Sequence, residues 1–321
     1  MITVKNLSKI YKSPIKGKNF ISDLFFPKYK ETAALNKISF EVGEDELVGF
    51  IGPNGAGKTT TLKILSGILY PSSGLVNVLG FTPFEKKYQF LGQISFIMGS
   101  RNQLLWDLPA IDTLLLNKEI YNVSEVSFKK IVDELSQLLK CQDLLTKPVK
   151  TLSLGERMKM ELIAGLIHSP KIIFFDEPTI GLDIFSQEVV RDFIKNYQKE
   201  HKATIILTSH YMEDVKRLAK RLIVINKGKI LYDGSQAQIV EKYSKERYVT
   251  VILEKEVEQK ILASIGKPIS AQFPRIVFKV EKSSIPTTVK LISDNLQFSD
   301  LTIEEEPIEE IIKILFRGHM K

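Results

Sequence analysis

Gly52-Pro53-Asn54-Gly55-Ala56-Gly57-Lys58-Thr59 is the stretch on which the reading of this chain turns. It fits G-x-x-x-x-G-K-[ST] at every position. It also stands between a strand-like run, Glu46–Ile51, and a segment apolar at helical spacing, Thr59–Ile68. Phosphates need several convergent backbone N–H donors, and small residues let the backbone wrap them closely. The helix that follows offers its positive N-terminal end. Lys58 is placed to reach the β- and γ-phosphates, and Thr59 to supply a hydroxyl to Mg²⁺. Gly52, Asn54, Gly55, Ala56, Gly57, Lys58, Thr59 and Thr60 are the candidate nucleotide contacts. A turn that binds nothing would not need this strand-to-helix setting.

Working outward, Ile172-Ile173-Phe174-Phe175-Asp176-Glu177 is an apolar run that closes in two carboxylates. So apolar a run implies a strand buried on both faces, and ligands gather at the carboxyl ends of such strands. Asp176 can hold Mg²⁺ through its water shell, and Glu177 can polarise the water that attacks a γ-phosphate. Strand-like runs recur at Leu35–Val42, Thr204–Thr208 and Leu222–Asn226, alternating with helical segments such as Ile184–Lys199. Short connections between them predict a mostly parallel α/β sheet. Helical patterns at Ile111–Ile120, Phe128–Leu139 and Leu154–His168 predict a helical lobe over about 100–168. Past Gly234-Ser235 the pattern changes to alternating strands and short helices, a small α+β module.

Composition bounds the function classes. With 321 residues, two domains are expected, here 1–240 and 245–321. The single cysteine, Cys141, excludes an internal disulfide framework and an all-cysteine zinc site. No apolar run approaches the roughly 20 residues that span a bilayer, and Met1–Lys5 lacks a signal-peptide core. The net charge of +7 suggests a polyanionic partner: nucleic acid, anionic lipid or nucleotide phosphate. The chain beyond residue 244 is close to neutral, so the excess lies before it. Much of it lies between Lys5 and Lys37, where Lys9, Lys12, Lys16, Lys18, Lys28 and Lys30 face only Asp23 and Glu31.

Further motifs complete the set. Thr151-Leu152-Ser153-Leu154-Gly155-Glu156-Arg157 precedes the acidic pair, Ile180-Gly181-Leu182-Asp183 follows it, and Thr208-Ser209-His210 ends a strand. In this order they resemble the ATP-binding subunit of an ABC transporter over residues 1–235, most like the ATPases paired with ABC-2-type exporter permeases. The resemblance implies a P-loop NTPase core with an inserted helical lobe and a C-terminal ferredoxin-like domain. It makes 151–157 the LSGGQ signature, with Ser153 and Gly155 touching the γ-phosphate held by the opposite subunit. Leu154 and Glu156 depart from the common motif. Ser153-x-x-Glu156 also reads as a capping box, and a capped helix start beside a glycine is a good anion site. By the same resemblance Asp183 lies in the D-loop, His210 is the switch histidine beside Glu177 and Lys58 in catalysis, and Tyr11 stacks on adenine. The metal would be held by Thr59 and Asp176, with either Ser100 or Gln103 as the Q-loop ligand.

The implied reaction is Mg²⁺-dependent hydrolysis of ATP to ADP and phosphate. The implied assembly is a homodimer, or a dimer with a similar ATPase, on the inner face of the cell membrane. There it drives a separate integral-membrane permease, for export, with no nucleic acid expected. A soluble ABC ATPase acting on nucleic acid or ribosomes is the alternative, but this chain has neither a tandem cassette nor a long coiled coil. A nucleotide-sensing module with weak hydrolysis is the third reading, which Glu177 and His210 disfavour. Phe20-Ile21-Ser22-Asp23-Leu24-Phe25-Phe26, flanked by lysines, reads as an interfacial helix. Residues 16–30 are thereby a candidate contact with anionic lipid, the alternative being a helix packed on the protein's own surface.

Overall fold

The computed structural model describes residues 1–15, 28–209, 211–244 and 246–318, in two compact units, Met1–Gly234 and Ser235–Lys321. In the first unit β1 (Ile2–Ile15), β2 (Lys28–Val42) and β3 (Leu47–Ile51) lead through the glycine-rich loop into α1 (Lys58–Leu65). There follow β4 (Ser73–Val78), α2 (Tyr88–Leu91), β5 (Ile94–Met98), α3 (Ala110–Ile120), α4 (Glu125–Leu138) and α5 (Leu154–Leu166). The unit continues with β6 (Ile172–Asp176), α6 (Ile184–His201), β7 (Thr204–Thr208), α7 (Met212–Leu218), β8 (Arg221–Asn226) and β9 (Lys229–Ser235). No helix among the described residues is long and apolar enough to cross a membrane.

The main sheet has the order β5-β6-β7-β3-β8-β9, and the pairs β5–β6, β6–β7, β7–β3 and β3–β8 are parallel. All five residues of β6 are buried. Ile172 and Phe174 join one apolar cluster with Phe50, Leu62 and Ile206, while Ile173 and Phe175 join another with Met160, Phe193 and Ile205. That division accounts for the unbroken apolar run: the strand has core on both faces. A second sheet, β2-β1-β4, is antiparallel, with β1 and β2 paired from Ile2↔Val42 to Ile15↔Lys28. The strand expected at Leu35–Val42 therefore begins earlier, at Lys28. The helix expected at Phe20–Phe26 lies outside the described residues, as does most of the lipid-contact segment 16–30.

In the lobe, α4 buries Phe128, Val132 and Leu135 on one stripe, and Ser124 caps its start by accepting from the Ser127 N–H. α5 begins with a full capping box at Ser153 and Glu156.

The second unit holds α8 (Gln236–Tyr243), β10 (Glu246–Leu253), α9 (Gln259–Ile265), β11 (Pro268–Gln272), β12 (Arg275–Glu281), α10 (Ile285–Asn295), β13 (Phe298–Glu305) and α11 (Ile308–Gly318). The sheet β11-β12-β10-β13 is antiparallel throughout. Strand, helix, two strands, helix, strand in that spatial order is the ferredoxin-like arrangement. Val249, Val251, Phe278, Leu262 and Ile292 form its core. The acidic stretch 304–310 spans the end of β13 and the start of α11.

One buried charge ties the first unit together. Asp214, on α7, is 0% exposed. Its Oδ1 accepts from Arg191 Nε at 2.6 Å, and its Oδ2 accepts from Ser209 Oγ at 2.6 Å and from Thr179 Oγ1. Arg191, on α6, also donates to Gln187 Oε1 at 2.9 Å. Losing the carboxylate leaves a guanidinium buried without its counter-charge. Asp214→Ala is therefore expected to lower unfolding stability by about 3–5 kcal/mol, read as a shift in the urea midpoint; an unchanged midpoint would contradict it.

Candidate nucleotide site

The glycine-rich loop leaves β3 and turns into α1 at Gly57, whose φ of 113° is left-handed. A Cβ there would lie 2.6 Å from Leu35 Cδ2 and 2.8 Å from the Ala34 carbonyl oxygen, so the position requires glycine. No side chain caps the start of α1. Its first N–H groups carry the partial positive charge of a helix end, which suits an anion.

Lys58 is only 5% exposed. Its ammonium donates to the carbonyls of Gly52 at 2.7 Å and Pro53 at 3.3 Å, and Nζ lies 4.0 Å from Glu177 Oε1. Burial pulls its pKa below the usual lysine value, and the charges of Glu177 and Asp176 oppose that. Thr59 Oγ1 donates to both oxygens of Asp176, at 3.0 and 2.8 Å. Thr208 Oγ1 donates to Asp176 Oδ1 at 2.6 Å.

The pairings Met98↔Asp176 and Asp176↔Thr208 set the carboxyl ends of β5, β6 and β7 level with one another. Glu177 follows at once. Its N–H is shared between the carbonyl of Thr208 at 3.0 Å and the hydroxyl of Thr208 at 3.1 Å, and its φ is 56°. A left-handed backbone in a residue with a side chain costs on the order of 1–2 kcal/mol, and these bonds hold it in place. A cavity of about 290 Å³ opens here, lined by Tyr11, Gly55, Lys58, Thr59, Thr60 and Glu177 among others. The Tyr11 hydroxyl lies 3.5 Å from Thr60 Oγ1, and Lys9 Nζ sits 5.4 Å from the centre of the Tyr11 ring.

Ser153, Gly155 and Asp183 gather in a different cluster and are not among the residues lining that cavity. Ser153 Oγ accepts from the Glu156 N–H at 3.3 Å, and Glu156 Oε2 accepts from the Ser153 N–H at 2.8 Å. Those bonds hold the Glu156 carboxyl below its ordinary pKa. Asp183 caps α6, accepting from the Ser186 N–H at 3.0 Å and the Ser186 hydroxyl at 2.6 Å. A Cβ on Gly155 would stand 2.4 Å from Ser186 Oγ and 3.0 Å from Ser186 Cβ, so the starts of α5 and α6 touch there and a side chain would displace the Ser186 hydroxyl.

Ser100 and Gln103 take different paths out of β5. The Gly99 N–H donates to the Asp176 carbonyl at 3.0 Å, which brings the chain beside the acidic pair just before Ser100. The Gln103 side-chain amide instead turns back to the Phe96 carbonyl at 3.0 Å, and its backbone N–H donates to Glu161 Oε1 at 2.7 Å. Burial pushes the Glu161 carboxyl up to about 7, opposed by hydrogen bonds from the Gln103 and Leu104 backbones. His210 lies outside the described residues. Thr208 and Glu161 carry no sequence pattern that singles them out: one ends an apolar strand, the other is a glutamate in an amphipathic helix.

A phosphate loop facing two acids at the ends of parallel strands defines a nucleoside-triphosphate-binding protein. A family model described as ABC transporter matches residues 35–180. The ABC transporter ATP-binding protein NatA of Bacillus subtilis is 33% identical over 233 residues, covering 73% of this chain and 94% of NatA. The Nod factor export ATP-binding protein I of Burkholderia orbicola is 30% identical over 214 residues, 67% of this chain and 70% of that protein. An ATP-binding cassette solved as a dimer in a post-hydrolysis state with ADP and Pi shares the fold. Its TM-score is 0.61 at 22% identity, over 73% of this chain and 98% of that one. The chain belongs to the ATP-binding subunits of ABC transporters, and it is an ATPase of that family. The relatives reported are transporter subunits, not nucleic-acid-acting ATPases.

Proposed function

We propose that this chain hydrolyses ATP in a Mg²⁺-dependent reaction within a dimer, at the inner face of the membrane, and drives a separate permease in export. The cluster of Lys58, Thr59, Asp176 and Glu177 at the mouth of the phosphate loop carries this reading. The first unit supplies the ATPase, and the second is accessory to it.

The loop N–H groups and Lys58 bind the phosphates and offset the charge that builds on them in the transition state. Glu177 accepts a proton from water as the water oxygen bonds to the γ-phosphorus. The bond from that phosphorus to the β–γ bridging oxygen breaks, and ADP departs with the electron pair. Tyr11 stands at the same cavity, where its ring can stack on the base. The hydroxyl and carboxylate oxygens of Thr59 and Asp176, within 3.0 Å of each other, are the hard donors Mg²⁺ prefers. They would hold the ion, with Ser100 favoured over Gln103 as a further ligand because the Gln103 amide is bonded to Phe96. Mg²⁺ when bound supplies charge neutralisation at the β- and γ-phosphate oxygens.

Ser153 and Gly155 stand apart from the cavity, which fits a site completed by a second cassette, and a cassette of the same fold was solved as a dimer. His210 is assigned to that completed site on sequence alone. Export follows the Nod factor relative. The permease reading is supported by six large apolar side chains left exposed between residues 105 and 120: Leu105, Trp106, Leu108, Leu115, Leu116 and Ile120. Apolar side chains left exposed this close together in the chain fit a protein-binding surface.

Phosphate release from ATP by the purified chain, with Mg²⁺ and then with excess EDTA, tests the proposal. Chelation is expected to abolish turnover. Hydrolysis indifferent to EDTA would overturn the metal assignment, and no hydrolysis under either condition would overturn the reaction.

A further inference from the structure

Glu161 lies on α5, two turns beyond the Ser153 cap, and is 3% exposed. A carboxylate so buried is costly unless it is hydrogen-bonded. Its geometric partner is the Gln103 N–H, 2.7 Å from Oε1; the neighbouring Leu104 N–H, whose field also favours the charged carboxyl, donates to Asn102 Oδ1 at 3.2 Å. Gln103 and Leu104 belong to the loop that leaves β5.

That loop begins against the acidic pair. The Gly99 N–H donates to the Asp176 carbonyl, and a Cβ on Gly99 would stand 2.0 Å from the Glu177 carbonyl oxygen, so the two backbones are in contact. Farther along, the loop is tied to the segment that precedes Ser153. The Lys150 N–H donates to the Trp106 carbonyl and the Val149 N–H to the Leu108 carbonyl, each at 3.0 Å. Arg157, also on α5, lies over the Trp106 ring at 5.6 Å. These outer ties are neutral hydrogen bonds or an exposed cation–ring contact. The Glu161 tie is buried and, at 2.7 Å, the shortest of the set.

We infer that Glu161 is a positioning residue that makes the loop 99–109 and α5 one body, so that movement at Asp176 and Glu177 is delivered to Ser153 and Gly155. The inference rests on the proposed phosphate contact of Ser153 and Gly155. It adds a mechanical link, inside one chain, between the acidic pair and the cluster that serves the opposite site.

Two variants of the full chain test it, Glu161→Ala and Glu161→Gln, by amide hydrogen exchange and steady-state ATPase kinetics. In Glu161→Ala, exchange at Gln103 is expected to accelerate at least tenfold while α5 keeps its protection. The kcat is expected to fall about tenfold, as misplacement of a catalytic arrangement does, with KM for ATP within twofold of wild type. Glu161→Gln keeps one acceptor oxygen and is expected to lie between, in both exchange and kcat. Should the alanine variant fail to fold, the glutamine variant decides alone. Faster exchange at Gln103 with wild-type kcat overturns the inference. So does accelerated exchange across the whole first unit, which is the mark of a merely structural residue. Wild-type turnover is measured first: its absence overturns the ATPase reading itself, whereas normal turnover unchanged by both variants overturns this inference alone.

Discussion

Glu177→Gln is expected to lower ATP turnover about a thousandfold, within the range for removing a general base, while ATP still binds. The substitution keeps the length and shape of the side chain. It leaves the backbone N–H on Thr208 and the left-handed φ of 56° unaltered. What it removes is the group that accepts the proton from water. Lys58 loses a carboxylate 4.0 Å away but keeps its carbonyl partners at Gly52 and Pro53. With binding intact and hydrolysis blocked, ATP is expected to accumulate a dimer, visible as a shift to twice the mass by light scattering. Turnover at the wild-type rate would remove Glu177 from the role of base.

Lys58→Ala is expected to act at the earlier step, weakening ATP binding about a hundredfold, as loss of hydrogen bonds to a charged group does, and abolishing turnover. The free protein should change little in stability. Burial lowers the pKa of Lys58, so at neutral pH the folded chain holds a proton less readily than the unfolded chain does. The sign follows: the lysine detracts from stability below its folded pKa, and that deficit fades as pH rises toward the ordinary lysine value. Removing it relieves the deficit and forfeits two hydrogen bonds, which roughly cancel. The readout is the ATP-induced rise in melting temperature, expected to persist in Glu177→Gln and to vanish in Lys58→Ala. A full ATP shift in Lys58→Ala would show that the lysine does not bind phosphate.

Local chemistry explains which parts of this molecule could be read from its residues. The phosphate loop is contiguous, and the geometry it needs is written in closely spaced glycines, so strand, loop and helix emerge at their places. β7 at Thr204–Thr208 matches its pattern residue for residue, because a central strand buried on both faces leaves an unbroken apolar run. β4, Ser73–Val78, escapes notice because a glycine and an exposed leucine interrupt its alternation. Glu161 and Asp214 escape for a different reason. A charged residue on a helix ordinarily faces water, and only their partners, between 5 and 58 positions away, show that these two do not. Thr208 is the same case in a strand: its hydroxyl matters through Asp176, 32 residues earlier.

The carboxylate of Asp214 has a consequence for how the chain folds. Its donors come from Thr179, Arg191 and Ser209, that is, from the turn after β6, from α6 and from the exit of β7. None of these is its neighbour on α7, so the carboxylate lacks part of its hydrogen bonding until all three have come into place. A partly assembled version, with the carboxylate enclosed and Arg191 not yet in place, is disfavoured by the cost of an unpaired buried charge. Intermediates are thereby depleted, and this end of the sheet should close in a single cooperative step.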